Sequence, residues 1–117
     1  RVAEMYLLHA EAAAENGNDG AARSSLKALL DLRIGDSSYV DALSGKALAE
    51  EAALQARLEL FAEGQSYFIM KRRRETRTRG ANWLDNAGES FSHTDERLTY
   101  EIPQAEITFN PNLSEQN

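Results

Sequence analysis

Apolar residues recur every three or four positions along the first two thirds of the chain, which is the period of an amphipathic α-helix. In residues 1–15 the apolar positions at this spacing are Val2, Met5, Tyr6, Ala10 and Ala13. The polar run 16–19 then breaks the helix, and we expect Asp19 at its end to cap a second helix that stops before Gly35. The pattern therefore predicts a helical hairpin over residues 1–35.

Helices are also predicted for residues 44–79, after a polar loop in which Tyr39 and Val40 are candidate anchors. Ser44 is the expected N-cap of a third helix that reaches about Glu63. Its expected apolar stripe consists of Leu54, Leu58 and Phe61, widened by Ala47, Leu48 and Ala53.

The last forty or so positions lose the helical period. Residues 80–97 are rich in Gly, Asn, Asp and Ser and predict a long loop. Residues 98–117 predict an extended C-terminal clasp: alternation up to Ile102 indicates a short strand, Pro103 ends it and opens one helical turn, and Asn110-Pro111 marks a turn. The fold class predicted for the chain is all-α, with helical hairpins, a long loop and this clasp.

Composition narrows the possible functions. The chain has 117 residues, a formal net charge of −6 and no cysteine, so disulfides, thiolate metal sites and thiol nucleophiles are excluded. His9 and His93 lack zinc-ligand spacing, and no known catalytic motif is present. We therefore expect neither an enzyme nor a bound metal or cofactor. Glu59 and Glu63 lie one helical turn apart and are expected to pair with arginines.

One basic run stands out from this acidic background. Residues 71–79 hold six of the thirteen basic residues. A nucleic-acid site would need a wider basic face with interleaved aromatic residues. We interpret the run as a solvated helix end and do not expect a nucleic-acid partner.

The predicted loop carries the candidate ligand-binding residues Asn82, Trp83, Phe91 and His93. An aromatic ring can stack on the apolar face of a sugar while an amide bonds its hydroxyls. The alternative is that Trp83 and Phe91 only pin the loop to the helices. The sequence leaves both open.

Two segments together resemble the SusD/RagB family. The closing segment matches the pattern Y-x-I-P-x-x-E-I-x-x-N-P-x-L-x-Q-N at Tyr100, Ile102, Pro103, Glu106, Ile107, Asn110, Pro111, Leu113, Gln116 and Asn117. The internal segment matches the family's E-R-R-x-E-L-x-x-E-G region at Arg57, Glu59, Leu60, Glu63 and Gly64, and continues through Tyr67, Phe68, Lys71 and Arg72. It departs from the family pattern at Gln55, Ala56, Ser66 and Ile69, each of which removes a charge. We still expect Arg57 to pair with a carboxylate.

The resemblance implies a function, a cellular location and partners that the residues alone do not indicate. Family members are surface nutrient-binding lipoproteins that work with a TonB-dependent outer-membrane transporter, built on a tetratricopeptide-like scaffold, and the first hairpin is similar to one such repeat. It implies an outer-membrane, cell-surface location, a polysaccharide or oligosaccharide ligand, and membrane contact only through a lipid anchor upstream of this chain.

Under the resemblance, residues 1–117 form a single C-terminal fragment of a longer protein, giving scaffold rather than the main binding site. No ligand residue carries over by motif. We expect the isolated fragment to expose apolar surface and to self-associate. The alternative function is a helical-repeat adaptor for protein partners.

Overall fold

The computed structural model describes residues 1–113 and residue 115. In this part of the chain the α-helices are α1 (Val2–Glu15), α2 (Asp19–Arg33), α3 (Gly45–Glu59), α4 (Gln65–Arg73) and α5 (Gln104–Phe109). Two short strands, β1 (Arg77–Thr78) and β2 (Ser90–Phe91), and two 3-10 turns, Ser38–Ala42 and Glu96–Leu98, complete the described elements. The all-α prediction is confirmed, while the tetratricopeptide-like detail stays a prediction.

The chain divides into two compact units. The first covers Arg1–Ile69, and the second begins at Met70. The boundary falls within the sequence of α4. Each unit is described by itself below.

The first unit is a three-helix arrangement in which α1 packs against both α2 and α3. Arg33 at the end of α2 bonds Glu59 at the end of α3, and Asp19 at the start of α2 accepts from the Gly45 backbone N–H at the start of α3. The helices α2 and α3 are therefore parallel. Arg1 pairs with Glu63, so α1 runs in the opposite direction.

The core of this unit is unusually rich in alanine. Its largest fully buried apolar side chains are Leu7, Leu26, Leu30 and Leu48, followed by the smaller Val40. Between them lie buried small residues: Ala10, Ala14, Ala22, Ala49, Ala52, Ala53 and Ala56. Small side chains let helix backbones approach closely, since the interaxial distance depends on the side chains at the contact. We call the buried alanines of α1 and α3 the alanine seam.

This core corrects two predicted helix faces. In α3 the three large residues Leu54, Leu58 and Phe61 of the expected stripe are exposed, and Phe61 remains 82% accessible. Leu48 and Ala53, which were expected to widen the stripe, are buried. In α1 Val2 and Met5 are exposed as well. The periodicity was ambiguous because both helices carry apolar residues on several sides, and the alanine face permits the closer packing.

The cap of α2 is also corrected. Asn18, not Asp19, is the N-cap, and its side-chain oxygen accepts from the Ala21 backbone N–H at 3.2 Å. The expected glycine after α2 is confirmed, because Gly35 has a φ of 79°. In the connection to α3, Val40 is fully buried, whereas Tyr39 is partly exposed. Ser44 is the N-cap of α3 as expected.

Further corrections concern where the helices end. The third helix stops at Glu59 rather than Glu63. Residues 60–64 form turns, in which Ala62 and Gly64 have φ values of 64° and 76°. The predicted helical range 44–79 is wrong at its end, because α4 stops at Arg73 and residues 77–78 form β1.

The second unit contains an antiparallel pairing of β1 with β2, in which Arg77 is opposite Phe91 and Thr78 is opposite Ser90. The strand expected up to Ile102 is absent from the described residues, because residues 99–103 have no regular structure.

The closing segment matches its remaining predictions in part. The turn opened by Pro103 is confirmed and extends into α5. The Asn110-Pro111 turn is confirmed too, with the Asn110 side chain accepting from the Asn112 backbone N–H at 3.1 Å. Phe109, the last residue of α5, is exposed. Gln116 and Asn117 of the closing motif lie outside the described residues.

Candidate functional site

The candidate site lies in the loop that joins the two short strands. Beyond the strand pair, the Arg79 backbone N–H donates to the Glu89 carbonyl at 2.9 Å, and the Gly88 N–H donates to the Arg79 carbonyl at 3.0 Å. These bonds extend the pairing and hold residues 80–87 as a closed loop. Gly88 has a φ of 76°, which favours glycine at this corner.

This loop surrounds an open hollow of about 390 Å³. Its lining residues are Arg79, Asn82, Trp83, Leu84 and Asp85. The volume lies within the range of about 300–1,000 Å³ that is common for small-molecule sites. Trp83 is 56% accessible and Leu84 is fully exposed, so the hollow presents apolar surface to solvent.

Arg79 is held at the base of the loop by aromatic rings. Its guanidinium carbon lies 4.8 Å from the centroid of the Trp83 ring and 5.4 Å from that of Phe91. One N–H of the group, on Nη1, donates to the backbone carbonyl of Asp85 at 3.0 Å. A guanidinium has five N–H donors, so this bond leaves further donors for a ligand.

A second arginine, Arg97, pairs with the neighbouring carboxylates of Asp95 and Glu89. Arg97 donates to Asp95 from Nε at 2.9 Å and from Nη2 at 2.8 Å, and it donates to Glu89 from Nη1 at 2.8 Å. These bonds lower the pKa of Asp95 and raise the pKa of Arg97. The Arg97 guanidinium also lies over Phe91, at 4.3 Å from the ring centroid. Glu89 and Asp95 are therefore engaged by Arg97 rather than by Arg79.

The four candidate residues from the sequence have different surroundings. Asn82 and Trp83 both line the hollow. Phe91 is buried and contacts the two guanidinium groups, so it supports the site without facing a ligand. The His93 backbone carbonyl accepts from Lys71 Nζ at 2.6 Å, and His93 is not part of the lining.

Sequence reasoning missed Arg79, Leu84 and Asp85. Arg79 was read as the end of a basic run on a helix, whereas it directly follows β1. Of the other basic residues, Lys71, Arg72 and Arg73 lie in the last turn of α4, which agrees with the expected helix end. Arg73 and Arg77 are held by Glu75.

Gly80 gives Asn82 its position. A Cβ atom at residue 80 would lie 2.7 Å from the Asn82 side-chain oxygen, which is closer than real contacts allow. An alanine there would force the amide to move away. The glycine therefore lets the amide lie against the backbone beside Trp83.

The charged residues of the internal segment that resembles the family, Arg57, Glu59 and Glu63, lie in the first unit. Glu59 and Glu63 pair with Arg33 and Arg1, which confirms the expectation that both glutamates bind arginines. Arg57 is different: among the described residues it forms no ion pair, and its buried Nε has no hydrogen-bond partner. The expected pairing of Arg57 is therefore wrong for this part of the chain.

The described residues contain no group of three His, Cys, Asp or Glu side chains that could hold a metal ion. None of the helices described is both long and apolar enough to cross a membrane.

The first unit is a set of packed helices, and the second contains an open loop whose lining includes Trp83. The model of the SusD family matches residues 1–117, and the chain belongs to this family. No curated protein and no solved structure gives a significant match to the chain. Membership indicates a nutrient- or glycan-binding component associated with the outer membrane, in a family of binding proteins rather than enzymes.

Proposed function

We propose that the chain is part of a non-enzymatic surface receptor that captures glycans for a polysaccharide uptake system. It is the C-terminal region of a longer SusD-family protein, which a lipid anchor upstream of this chain holds at the outer membrane. The receptor passes its ligand to a TonB-dependent transporter. The single observation that carries this proposal is the family match over residues 1–117.

We assign different roles to the two units of the chain. The first unit is a compact set of helices whose buried face consists mainly of alanine and leucine, which suits a scaffold. The second unit contains the open hollow beside Trp83. A hollow with one tryptophan offers a single stacking surface, so we assign the chain scaffold and accessory contacts rather than the main binding surface.

Capture in this scheme involves no covalent chemistry. An exposed aromatic ring stacks on the C–H face of a pyranose, and neighbouring amide, guanidinium and carboxylate groups bond its hydroxyls. Asn82 and Trp83 can make such contacts because both line the hollow. Phe91 contributes indirectly, because its ring lies against the Arg79 guanidinium. His93 does not line the hollow, and we assign it no contact with the ligand.

Affinity electrophoresis tests the proposal. The chain and its longer parent are run side by side through native gels that contain starch, xylan, pectin or no polysaccharide. We expect at least one polysaccharide to slow the parent strongly and this chain weakly or not at all. A parent whose mobility is unchanged in every gel would exclude a polysaccharide receptor and leave peptide ligands or the adaptor function.

The adaptor function has one observation in its favour. Leu54, Leu58 and Phe61 form an exposed apolar row on and just beyond α3. Such a row suits a protein partner, because interface cores are apolar. An adaptor would ignore carbohydrate and would lose its partner when Leu58 and Phe61 are both replaced by glutamate, whereas the proposed receptor would keep its glycan retardation in the same variant.

A further inference from the structure

We propose that the hollow of Arg79, Asn82, Trp83, Leu84 and Asp85 is an accessory carbohydrate subsite that selects uncharged pyranose residues with two adjacent hydroxyls, and that Arg79 and Asp85 determine this selectivity. The inference rests on the proposed function. It adds the class of sugar and two specificity residues to it.

The charges of the lining set the class of ligand. Arg79 brings one positive charge and Asp85 one negative charge, and the other three lining residues are neutral. Arg79 bonds the backbone carbonyl of Asp85, and no ion pair joins Arg79 to the Asp85 carboxylate. The two charged groups therefore remain available on the same hollow. For a ligand carrying its own carboxylate or sulfate, the repulsion of Asp85 offsets the attraction of Arg79, whereas a neutral ligand can bond both groups without this cost.

Adjacent sugar hydroxyls suit this pair of groups. Each hydroxyl can donate one hydrogen bond and accept others. A carboxylate only accepts and a guanidinium only donates, so Asp85 can take the proton of one hydroxyl while Arg79 donates to the oxygen of its neighbour. The Asn82 amide can do either. An isolated hydroxyl or a simple apolar ligand would leave one of the charged groups without its partner.

The arginine is fixed before any ligand arrives. Its guanidinium is held against Trp83 and Phe91 and by the bond to the Asp85 carbonyl, so little side-chain freedom remains to be lost on binding. Arg97 engages the nearby carboxylates of Glu89 and Asp95, which leaves Arg79 without a competing carboxylate from these residues. Trp83 and Leu84 supply the exposed apolar surface on which a sugar ring can rest.

The test uses tryptophan fluorescence, since Trp83 is the one tryptophan of the chain. The 117-residue chain is titrated with maltohexaose and cellohexaose as neutral probes and with hexagalacturonate as an acidic probe. We expect a saturable change in Trp83 emission with at least one neutral probe and none with the acidic probe at the same concentration. Circular dichroism of each variant verifies that the helices are intact.

Two substitutions in the lining and two control substitutions sharpen the test. Asp85→Asn should weaken neutral binding by roughly tenfold, because hydrogen bonds to charged groups are the stronger ones, and it should allow the acidic probe to bind. Arg79→Lys keeps the charge but loses the planar pair of donors, and should weaken neutral binding to a similar extent. Glu101→Gln and Arg74→Lys, at exposed positions outside the lining, are the matched controls and should leave binding unchanged.

The outcomes separate this inference from the proposed function. Equal or tighter binding of hexagalacturonate would overturn the selectivity. Neutral binding that survives both Asp85→Asn and Arg79→Lys would overturn the roles of these residues. If no probe changes Trp83 emission while the parent is still slowed in polysaccharide gels, the subsite is wrong and the receptor stands. If the parent is not slowed by any gel either, the proposed function itself fails.

Discussion

Arg33 and Glu59 form a two-armed ion pair that joins the last turns of two parallel helices. Arg33 Nε lies 2.9 Å from one carboxylate oxygen of Glu59, and Nη2 lies 2.6 Å from the other. This planar arrangement matches the fork of a guanidinium to the two oxygens of a carboxylate. The pair fixes the end of α2 against the end of α3, beside the turn that leads into α4.

Stability should depend on the ionisation of Glu59. The hydrogen bonds from Arg33 lower the pKa of this carboxyl group, so its contribution to the free energy of unfolding is present above the ordinary carboxyl range. That contribution is lost as the pH falls through the lowered pKa. We expect Glu59→Gln to reduce the midpoint of chemical unfolding slightly at pH 7, with the difference from the unsubstituted chain disappearing in acid.

The matched control for this substitution is Glu50→Gln. Glu50 pairs with Lys46 through a single contact of 3.5 Å at a more exposed site. Since exposed single-contact pairs contribute little, the control should unfold like the unsubstituted chain. An equal loss in both variants would show that the two-armed geometry has no special value here.

The corrected face of α3 can be tested with two leucines of the same helix. Leu48 is fully buried, whereas Leu58 is 60% accessible. Leu48→Ala should lower the free energy of unfolding by about 2–5 kcal/mol, because it removes buried apolar contacts and leaves a cavity. Leu58→Ala should change it by less than about 0.5 kcal/mol. Urea denaturation followed by circular dichroism measures both, and a larger loss for Leu58→Ala than for Leu48→Ala would contradict the exposure of Leu54, Leu58 and Phe61.

The turn between α3 and α4 contains two residues with left-handed backbone. Gly64 has open space where a Cβ would be, so Gly64→Ala tests the backbone cost without a steric clash. We expect a loss of about 1–2 kcal/mol in the free energy of unfolding. Ala62→Gly relieves the same strain and should be neutral or stabilising by up to about 1 kcal/mol, after the added freedom of the unfolded chain is subtracted.

These two variants control for each other, since they exchange the same pair of residues two positions apart. A stabilising Gly64→Ala, or an Ala62→Gly that costs more than Gly64→Ala, would contradict the turn geometry. Thermal unfolding under identical conditions gives the comparison.

The exposed apolar row of α3 should cause the chain to self-associate. Burying apolar surface contributes roughly 25 cal/mol per Å², and the row includes Leu58 and Phe61 at high exposure. We expect light scattering at high concentration to give a mass above the 13.0 kDa of one chain. The double variant Leu58→Glu and Phe61→Glu should return to a single chain, and a monomeric unsubstituted protein would refute the expectation.

How far the sequence predicts the fold differs between helices. In α2 the residues Ala22, Leu26, Leu29 and Leu30 recur at the helix spacing and are all buried, although Leu32 on another side is exposed, so periodicity alone indicates the buried face. In α1 and α3 leucine and alanine occur on several sides. The choice between faces depends on how closely neighbouring backbones can approach, and a single helix period contains no such information.

The candidate site was predictable only in part for a similar reason. Asn82 and Trp83 stood out because an aromatic residue beside an amide in a polar loop has recognisable chemistry. Arg79 contacts Phe91 across a pairing of two-residue strands, which are too short to leave an alternating pattern. Asp85 became a candidate only when the closed loop brought it beside Arg79.

The alanine seam constrains how this chain can change. At a contact between closely spaced helices, a substitution by any larger residue separates the backbones, and compensation would need a simultaneous reduction on the facing helix, where the side chains are already small. Substitutions should therefore accumulate on the outer faces and in the loop around Trp83, while the seam stays fixed. Members of the SusD family could in this way acquire new ligand preferences without altering the spacing of α1 and α3.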